Sequence, residues 1–220
     1  MRKNLTFTLV FSALMVFYIS IEKTSAQWTS PGPDGGYVSL LTASGSTLYA
    51  VAGVFSPNAE FLYTSTDNGN TWTPLVSATW PASPSDNKKA IAKIGSSLFV
   101  GTFNGIWRSD DNGLTWNKKH YGTGYAFASN GTTLFAGTDF GILRSTNNGD
   151  TWTFNDLGGA LFMGGIFSLA VNGNNVYASS EMDGVTVHSE DNGLTFNTYG
   201  DIWFDATALT IIGNDLYAGT

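Results

Sequence analysis

A chain of 220 residues with 26 glycines, 31 aromatic residues and only 12% charged side chains has the composition of one substantial, turn-rich all-β domain. It contains no cysteine, which excludes a disulfide framework and a cysteine-based zinc site. The formal net charge of −7 becomes −9 once the first 26 residues are set aside, leaving 7 basic and 16 acidic residues, and so acidic a chain is a poor match for the phosphates of nucleic acid.

The N-terminus reads as an export signal. Met1-Arg2-Lys3-Asn4 supplies positive charge, the stretch from Leu5 to Ile21 is almost wholly apolar, and Thr24-Ser25-Ala26 offers small residues for cleavage. Residues 1–26 are therefore expected to be a signal peptide cut between Ala26 and Gln27, with no stable membrane insertion afterwards. An uncleaved anchor is the alternative, because the apolar run approaches spanning length.

From residue 37 onward the chain repeats itself. An apolar strand comes first: Val38–Leu41, Ala90–Ile94, Tyr125–Ala128, Phe167–Val171 and Ala208–Ile212. A Gly or Asn turn follows, then a second strand containing Leu48-Tyr49-Ala50, Leu98-Phe99-Val100, Leu134-Phe135-Ala136, Val176-Tyr177-Ala178 or Leu216-Tyr217-Ala218. A third strand leads into an eight-residue turn found four times, at 65–72, 109–116, 145–152 and 189–196. The turn reads S-x-D-x-G-x-T-W. Its fixed positions are Ser65, Asp67, Gly69 and Trp72; Ser109, Asp111, Gly113 and Trp116; Ser145, Asn147, Gly149 and Trp152; and Ser189, Asp191, Gly193 and Phe196. Asn147 replaces Asp in the third copy, and Phe196 replaces Trp in the fourth.

Each fixed position has a structural task. Asn-Gly supplies the positive φ of a tight hairpin turn. The Asp carboxylate is placed to accept backbone N–H groups two or three residues on. Trp is expected to open the fourth strand and bring a large apolar area. A calcium loop is the rival reading of Asp110-Asp111-Asn112-Gly113, but calcium takes about six to eight oxygens and this turn offers too few.

The unit is thus four strands, most clearly at about 125–129, 133–138, 141–146 and 151–155, with equivalents at 37–76, 88–119 and 166–198. Ser-to-Ser spacings of 44, 36 and 44 residues suit one blade per repeat. A lone four-stranded blade has no cover for its faces, so blades must stack around an axis. The expected fold is all-β: a β-propeller of four-stranded antiparallel blades over 27–220, with four blades and the start of a fifth. Gln27-Trp28-Thr29-Ser30 resembles a fourth strand and is expected to close the ring. Residues 206–220 supply only strands one and two of a further blade, so the propeller is expected to be truncated at the C-terminus.

The four turns resemble the Asp-box, or BNR, repeat found in sialidases, sortilin-type receptors, xyloglucan-cleaving endoglucanases and propeller-type photosystem II assembly factors. The closest overall look is to exported bacterial propellers of uncharacterised role. The resemblance implies that the turns lie on the outer hairpin between strands three and four, away from the binding face. It also implies a secreted or cell-surface location outside the bacterial cytoplasm, and a C-terminal sorting domain beyond Thr220.

Catalytic chemistry finds little support. A sialidase holds its substrate's carboxylate with three arginines, and after Ala26 the chain has two, Arg108 and Arg144, at equivalent repeat positions. A glycoside hydrolase needs paired carboxylates. The loop candidates Glu60, Asp86, Asp139, Glu181, Asp183, Asp201 and Asp205 show no spacing that singles out a pair. His188, beside Ser189 and Asp191, occupies the repeat position of Arg144, and His120 stands without a partner pattern. Two histidines and no cysteine argue against a zinc site, and Gly158-Gly159 and Gly164-Gly165 form no phosphate cradle, so no cofactor or metal is expected.

Binding is expected instead on the loops opposite the repeated turns, where a propeller scaffold holds variable segments. The candidates are aromatic: Trp80, Phe103, Tyr121, Phe140, Phe162, Trp203 and Phe204, with loops 77–87 and 156–165 the longest. The sequence therefore reads as a non-catalytic exported propeller binding a protein or polysaccharide. The alternative is a xyloglucanase- or sialidase-like glycoside hydrolase whose catalytic residues lie partly outside the chain. A chaperone-like assembly factor would call for a basic surface, against the acidic balance.

Overall fold

A computed structural model describes residues 37–53, 60–81, 88–157, 165–180, 185–199 and 206–219. The chain divides into Met1–Ser30 and Pro31–Thr220, and every described residue belongs to the second unit. The expected signal segment and the Gln27–Ser30 strand lie outside the described residues.

The described chain is all-β and forms a β-propeller. The first blade holds β1 (Tyr37–Ser44), β2 (Thr47–Gly53), β3 (Glu60–Ser65) and β4 (Thr73–Leu75). The second holds β5 (Lys88–Ile94), β6 (Ser97–Thr102), β7 (Gly105–Ser109) and β8 (Asn117–His120). The third holds β9 (Ala126–Ser129), β10 (Leu134–Gly137), β11 (Gly141–Ser145) and β12 (Thr153–Asp156). The fourth holds β13 (Ile166–Asn172), β14 (Asn175–Ser180), β15 (Thr186–Ser189) and β16 (Asn197–Thr198). β17 (Ala208–Ile212) and β18 (Asp215–Gly219) form a two-stranded sheet.

Within each blade the strands pair antiparallel in sequence order. Neighbouring blades meet along their first strands, β1 beside β5, β5 beside β9, β9 beside β13 and β13 beside β17. Strand one is therefore innermost and strand four outermost. Register shifts fall at the same place in three first strands, between Val38 and Leu40, Lys88 and Ala90, and Ile166 and Ser168. A bulge there adds twist where the blades crowd the axis.

The core lies between blades. Leu62, Leu98, Val100 and Trp116 join the first and second, with Tyr49 and Trp80. Phe99, Ile106, Leu134 and Leu143 join the second and third. Phe135, Ile142, Ile166, Val176 and Val187 join the third and fourth. The second strands carry most of this packing: all of β6 and β10 is buried. A strand covered on both faces reads as a near-continuous apolar run, which is why the Leu-Phe-Ala phrase shows no alternation.

The repeated Gly-Thr at the end of strand two has its own cause. Thr102 O accepts Gly124 N–H at 3.1 Å and Thr138 O accepts Ile166 N–H at 2.9 Å, tying each blade to the connector into the next. That connector passes so close to Gly101 that a side chain there would collide with the Gly124 carbonyl.

Candidate functional site

The four repeated turns all lie on hairpins between strands three and four, at the outer rim. Asp67, Asp111 and Asp191 are spread over three blades and do not converge. In the first turn, Ser65 Oγ donates to Asp67 Oδ1 at 2.8 Å and accepts Gly69 N–H at 2.9 Å. Asp67 Oδ1 also accepts Thr71 N–H at 2.9 Å, and Oδ2 accepts the Thr71 hydroxyl at 2.6 Å. The second and fourth turns repeat this network. Both carboxylate oxygens are thus engaged inside the turn rather than offered to a metal.

The expectation that Asp would bind amides two or three residues on needs correction. The recurrent acceptor contact is to Thr, four residues on, and only Asp191 also takes Leu194 N–H, three on, at 2.9 Å. The reason is the Asn-Gly pair, both left-handed in every copy (Asn68 φ 59°, Gly69 φ 86°), which curls the chain back over the Asp side chain. The Trp expectation is corrected too: strand four starts one residue later, at Thr73, Asn117, Thr153 and Asn197. Trp72 and Trp116 instead turn back, and their indole N–H groups donate to Gly69 O and Gly113 O at 3.1 and 3.0 Å. The Trp152 N–H finds no acceptor, and Phe196 has no such group to place.

Three hydrogen bonds hold carboxylate charge in these turns, so Thr71 first, then Ser65, keep the Asp67 carboxyl at about 2. Asp111 is likewise held at about 2 by Thr115 and Ser109, and Asp191 is depressed further by Thr195 and Ser189.

Each turn from the second onward also seats on the blade before it. Arg108 Nη1 donates to Asn148 O at 2.6 Å and pairs with Asp150 at 3.0 Å, while Lys119 reaches Asp150 at 2.7 Å. Asn148 Nδ2 donates to Ser97 Oγ at 2.8 Å. One blade on, Arg144 Nε donates to Asn192 O at 2.8 Å, Asn192 Nδ2 to Thr133 Oγ1 at 2.9 Å, and Asn155 to Gly193 O. The two arginines are blade-to-blade ties and do not converge on a substrate. His188, their equivalent, stacks on Tyr177 with centroids 4.2 Å apart and meets Asn175 Oδ1 at 3.0 Å. Ser189 donates to Asp191 rather than to His188, so no nucleophile relay forms.

The opposite face carries the expected aromatic loops. Tyr121 is 81% exposed, Phe140 77% and Phe103 44%. Phe103 and Tyr121 belong to adjoining loops of the second blade, joined by the Thr123 hydroxyl, which donates to Phe103 O at 3.2 Å. Phe140 stands on the equivalent turn of the third blade. Trp80 offers no comparable surface: only 8% exposed, it donates its indole N–H to Glu60 O at 2.8 Å and meets Trp116 edge-on at 5.3 Å. Its ring fills the gap between the first two blades. Phe162, Trp203 and Phe204 lie outside the described residues.

Two lysines that sequence reasoning passed over complete this patch. Lys89 Nζ sits 4.2 Å from the Phe103 ring centroid, and Lys118 Nζ lies 5.0 Å from Tyr121 and 4.7 Å from Trp107. The signal was available: residues 88–120 hold six of the seven basic residues after Ala26 but only Asp110 and Asp111 of the acidic ones. Burial lowers the pKa of the neighbouring His120. Among the carboxylate candidates, Glu60 pairs with Lys88 at 3.6 Å and Asp139 accepts the Tyr125 hydroxyl at 2.7 Å. Asp86, Glu181, Asp183, Asp201 and Asp205 lie outside the described residues. Among the described residues no helix is long and apolar enough to cross a membrane.

This architecture places the chain among the β-propellers, and comparison with solved structures agrees. The extracellular domain of a putative one component system from B. thetaiotaomicron superposes with a TM-score of 0.63 at 14% identity, over 83% of this chain and 26% of that one. An ancestral GH74 enzyme gives 0.58 at 21% identity, over 76% and 24%. A chain of a nidogen–laminin complex gives 0.60 at 12% identity, over 79% and 67%. This chain thus spans about a quarter of the first two, and at these identities the likeness is one of fold. No family model and no curated protein matches the sequence.

Proposed function

We propose that this chain is a non-catalytic, exported β-propeller whose binding face lies opposite the rim turns, and that its ligand is a polysaccharide bearing acidic groups. The observation that carries this is the second-blade patch: exposed Tyr121 and Phe103 flanked by Lys89 and Lys118. Exposed rings offer flat apolar surface to the C–H faces of sugars, and aromatic anchors dominate such contacts. Ammonium groups beside those rings supply the charge partner for carboxylate or sulfate, in a chain that is otherwise acidic. The apolar N-terminal segment and the likeness to an extracellular domain support export.

The test is glycan-array binding of the cleaved chain, compared with Phe103→Ala and Tyr121→Ala. The reading expects retention of uronic-acid or sulfated glycans, weakened about tenfold by either variant and by added salt. Equal binding by both variants and the parent overturns the site. Release of reducing sugar from a bound glycan would instead favour the glycoside hydrolase reading, for which the GH74 likeness supplies only a fold.

A further inference from the structure

The turn between strands two and three is built the same way in the second and third blades. In Thr102-Phe103-Asn104-Gly105 the Thr102 hydroxyl donates to Gly105 O at 3.1 Å and accepts Asn104 N–H at 3.1 Å. In Thr138-Asp139-Phe140-Gly141 the Thr138 hydroxyl donates to Gly141 O at 2.9 Å and accepts Phe140 N–H at 3.4 Å. Phe103 and Asp139 therefore hold the same position on one scaffold. Their neighbours from strand one correspond as well. Lys89 precedes Ala90, which opposes Gly101, and Tyr125 precedes Ala126, which opposes Gly137.

The charge at this shared place changes sign from one blade to the next. On the second blade Lys89 sets an ammonium over the Phe103 ring, 4.2 Å from its centroid. On the third blade the Tyr125 hydroxyl donates to Asp139 Oδ1 at 2.7 Å, and no cation pairs with that carboxylate among the described residues. The carboxylate is also held in place. The Tyr125 ring stacks on Phe167 of the fourth blade, with centroids 4.1 Å apart and planes 28° from parallel. Gly165 passes so close that a Cβ on it would stand 2.5 Å from the same ring. Beside Asp139, Phe140 is 77% exposed. Groups fixed in this way lose little freedom when a ligand arrives.

We propose, building on the glycan reading above, that Asp139 and Phe140 form a second subsite that takes neutral sugar and turns acidic sugar away, so that the ligand is a mainly neutral chain carrying sparse acidic groups. The acidic group goes to Lys89 and Lys118 on the second blade. A neutral ring lies on Phe140 and donates hydroxyls to Asp139, which as a carboxylate is an acceptor only. A further carboxylate or sulfate at that place meets like charge, and selectivity of this kind comes from repulsion rather than from added contacts. A polymer acidic at every unit gains at the second blade and loses at the third.

Isothermal titration of the chain with two oligosaccharides of equal length tests this. One is a xylan fragment with a single glucuronic acid branch; the other is an oligogalacturonate, with a carboxylate on every unit. The parent is expected to bind the xylan fragment roughly threefold to tenfold more tightly, with the gap narrowing in salt. Asp139→Asn keeps an acceptor for Tyr125 and removes the charge, so it should strengthen the oligogalacturonate by about threefold and leave the xylan fragment no tighter. Phe140→Ala should weaken the xylan fragment about tenfold. Equal binding of the two ligands by the parent, an unchanged ratio in Asp139→Asn, loss of both ligands in that variant, or no effect of Phe140→Ala would each overturn the subsite. Phe103→Ala separates this from the reading beneath it. If that variant loses both ligands while Asp139→Asn leaves their ratio unchanged, only the third-blade subsite falls. If Phe103→Ala loses neither, or the parent binds neither, the second-blade site falls and takes the third-blade subsite with it.

Discussion

The ring of Phe99, on the second strand of one blade, lies against Gly149, in the turn of the next, so closely that a Cβ on Gly149 would stand 2.9 Å from the ring edge. Gly149 is also left-handed, at φ 77°. One atom's absence thus serves the turn and the blade interface together.

Gly149→Ala is therefore expected to destabilise the chain by about 1–3 kcal/mol, combining backbone strain with overpacking. Gly173 separates the two causes, because it is left-handed at φ 59° with nothing within 4 Å of its hypothetical Cβ. Gly173→Ala should cost only the strain, about 1 kcal/mol. Urea denaturation of both variants measures the difference, and equal losses would remove the ring contact from the account.

Acid should loosen the rim in a defined window. The folded carboxyls of Asp67 and Asp111 sit at about 2, below the ordinary 3.8. A depressed folded value means that the stabilisation is complete above the ordinary value and is lost as pH falls through about 2. Melting temperature should therefore drop between about pH 4 and pH 2. The double variant Asp67→Asn, Asp111→Asn should show a shallower drop. Asn147 shows that an amide fits: its Nδ2 donates to Thr151 Oγ1 at 2.9 Å. An unchanged slope in the double variant would place the acid sensitivity elsewhere.

Ser109→Ala tests the smallest part of the turn. Its buried hydroxyl donates to Asp111 and accepts Gly113 N–H, both at 2.7 Å. Removal leaves that amide without its acceptor, at a cost of about 1–3 kcal/mol. Cysteine at the same position, a weaker acceptor of similar shape, should lie between alanine and the parent in the same denaturation experiment.

Trp80 and Tyr121 should separate stability from binding. Trp80→Ala empties an interblade core position and is expected to cost about 3–5 kcal/mol. Tyr121→Ala removes an exposed ring and should change stability by less than about 0.5 kcal/mol while weakening glycan retention. Thermal melts alongside the array read both effects, and the opposite ordering would contradict the placement of the two rings.

Arg108→Ala removes a tie between blades. Its donation to Asn148 O involves no second charge, whereas its pairing with Asp150 does. An expected loss of about 1–2 kcal/mol should shrink in molar salt without vanishing. Complete loss of the effect in salt would reduce Arg108 to a surface ion pair.

The sequence by itself determined the repeat unit, because strand, turn and glycine chemistry are local: Asn68-Gly69 favours the left-handed turn it adopts, and Leu98-Phe99-Val100 reads as a strand buried on both faces. It also separated the rim from the opposite face, since both ends of one strand are visible in the chain. Tertiary structure decided what lies across a blade boundary. Trp80 and Tyr121 look alike in sequence, yet one meets Trp116 and the other meets solvent. Arg108 and His188 share a repeat position, but only the blade that follows gives the arginine its carbonyl. Lys89 and Phe103 are fourteen positions apart and become one patch only when β5 and β6 pair. Such contacts depend on the rotation between successive sheets, a quantity no short stretch of chain specifies.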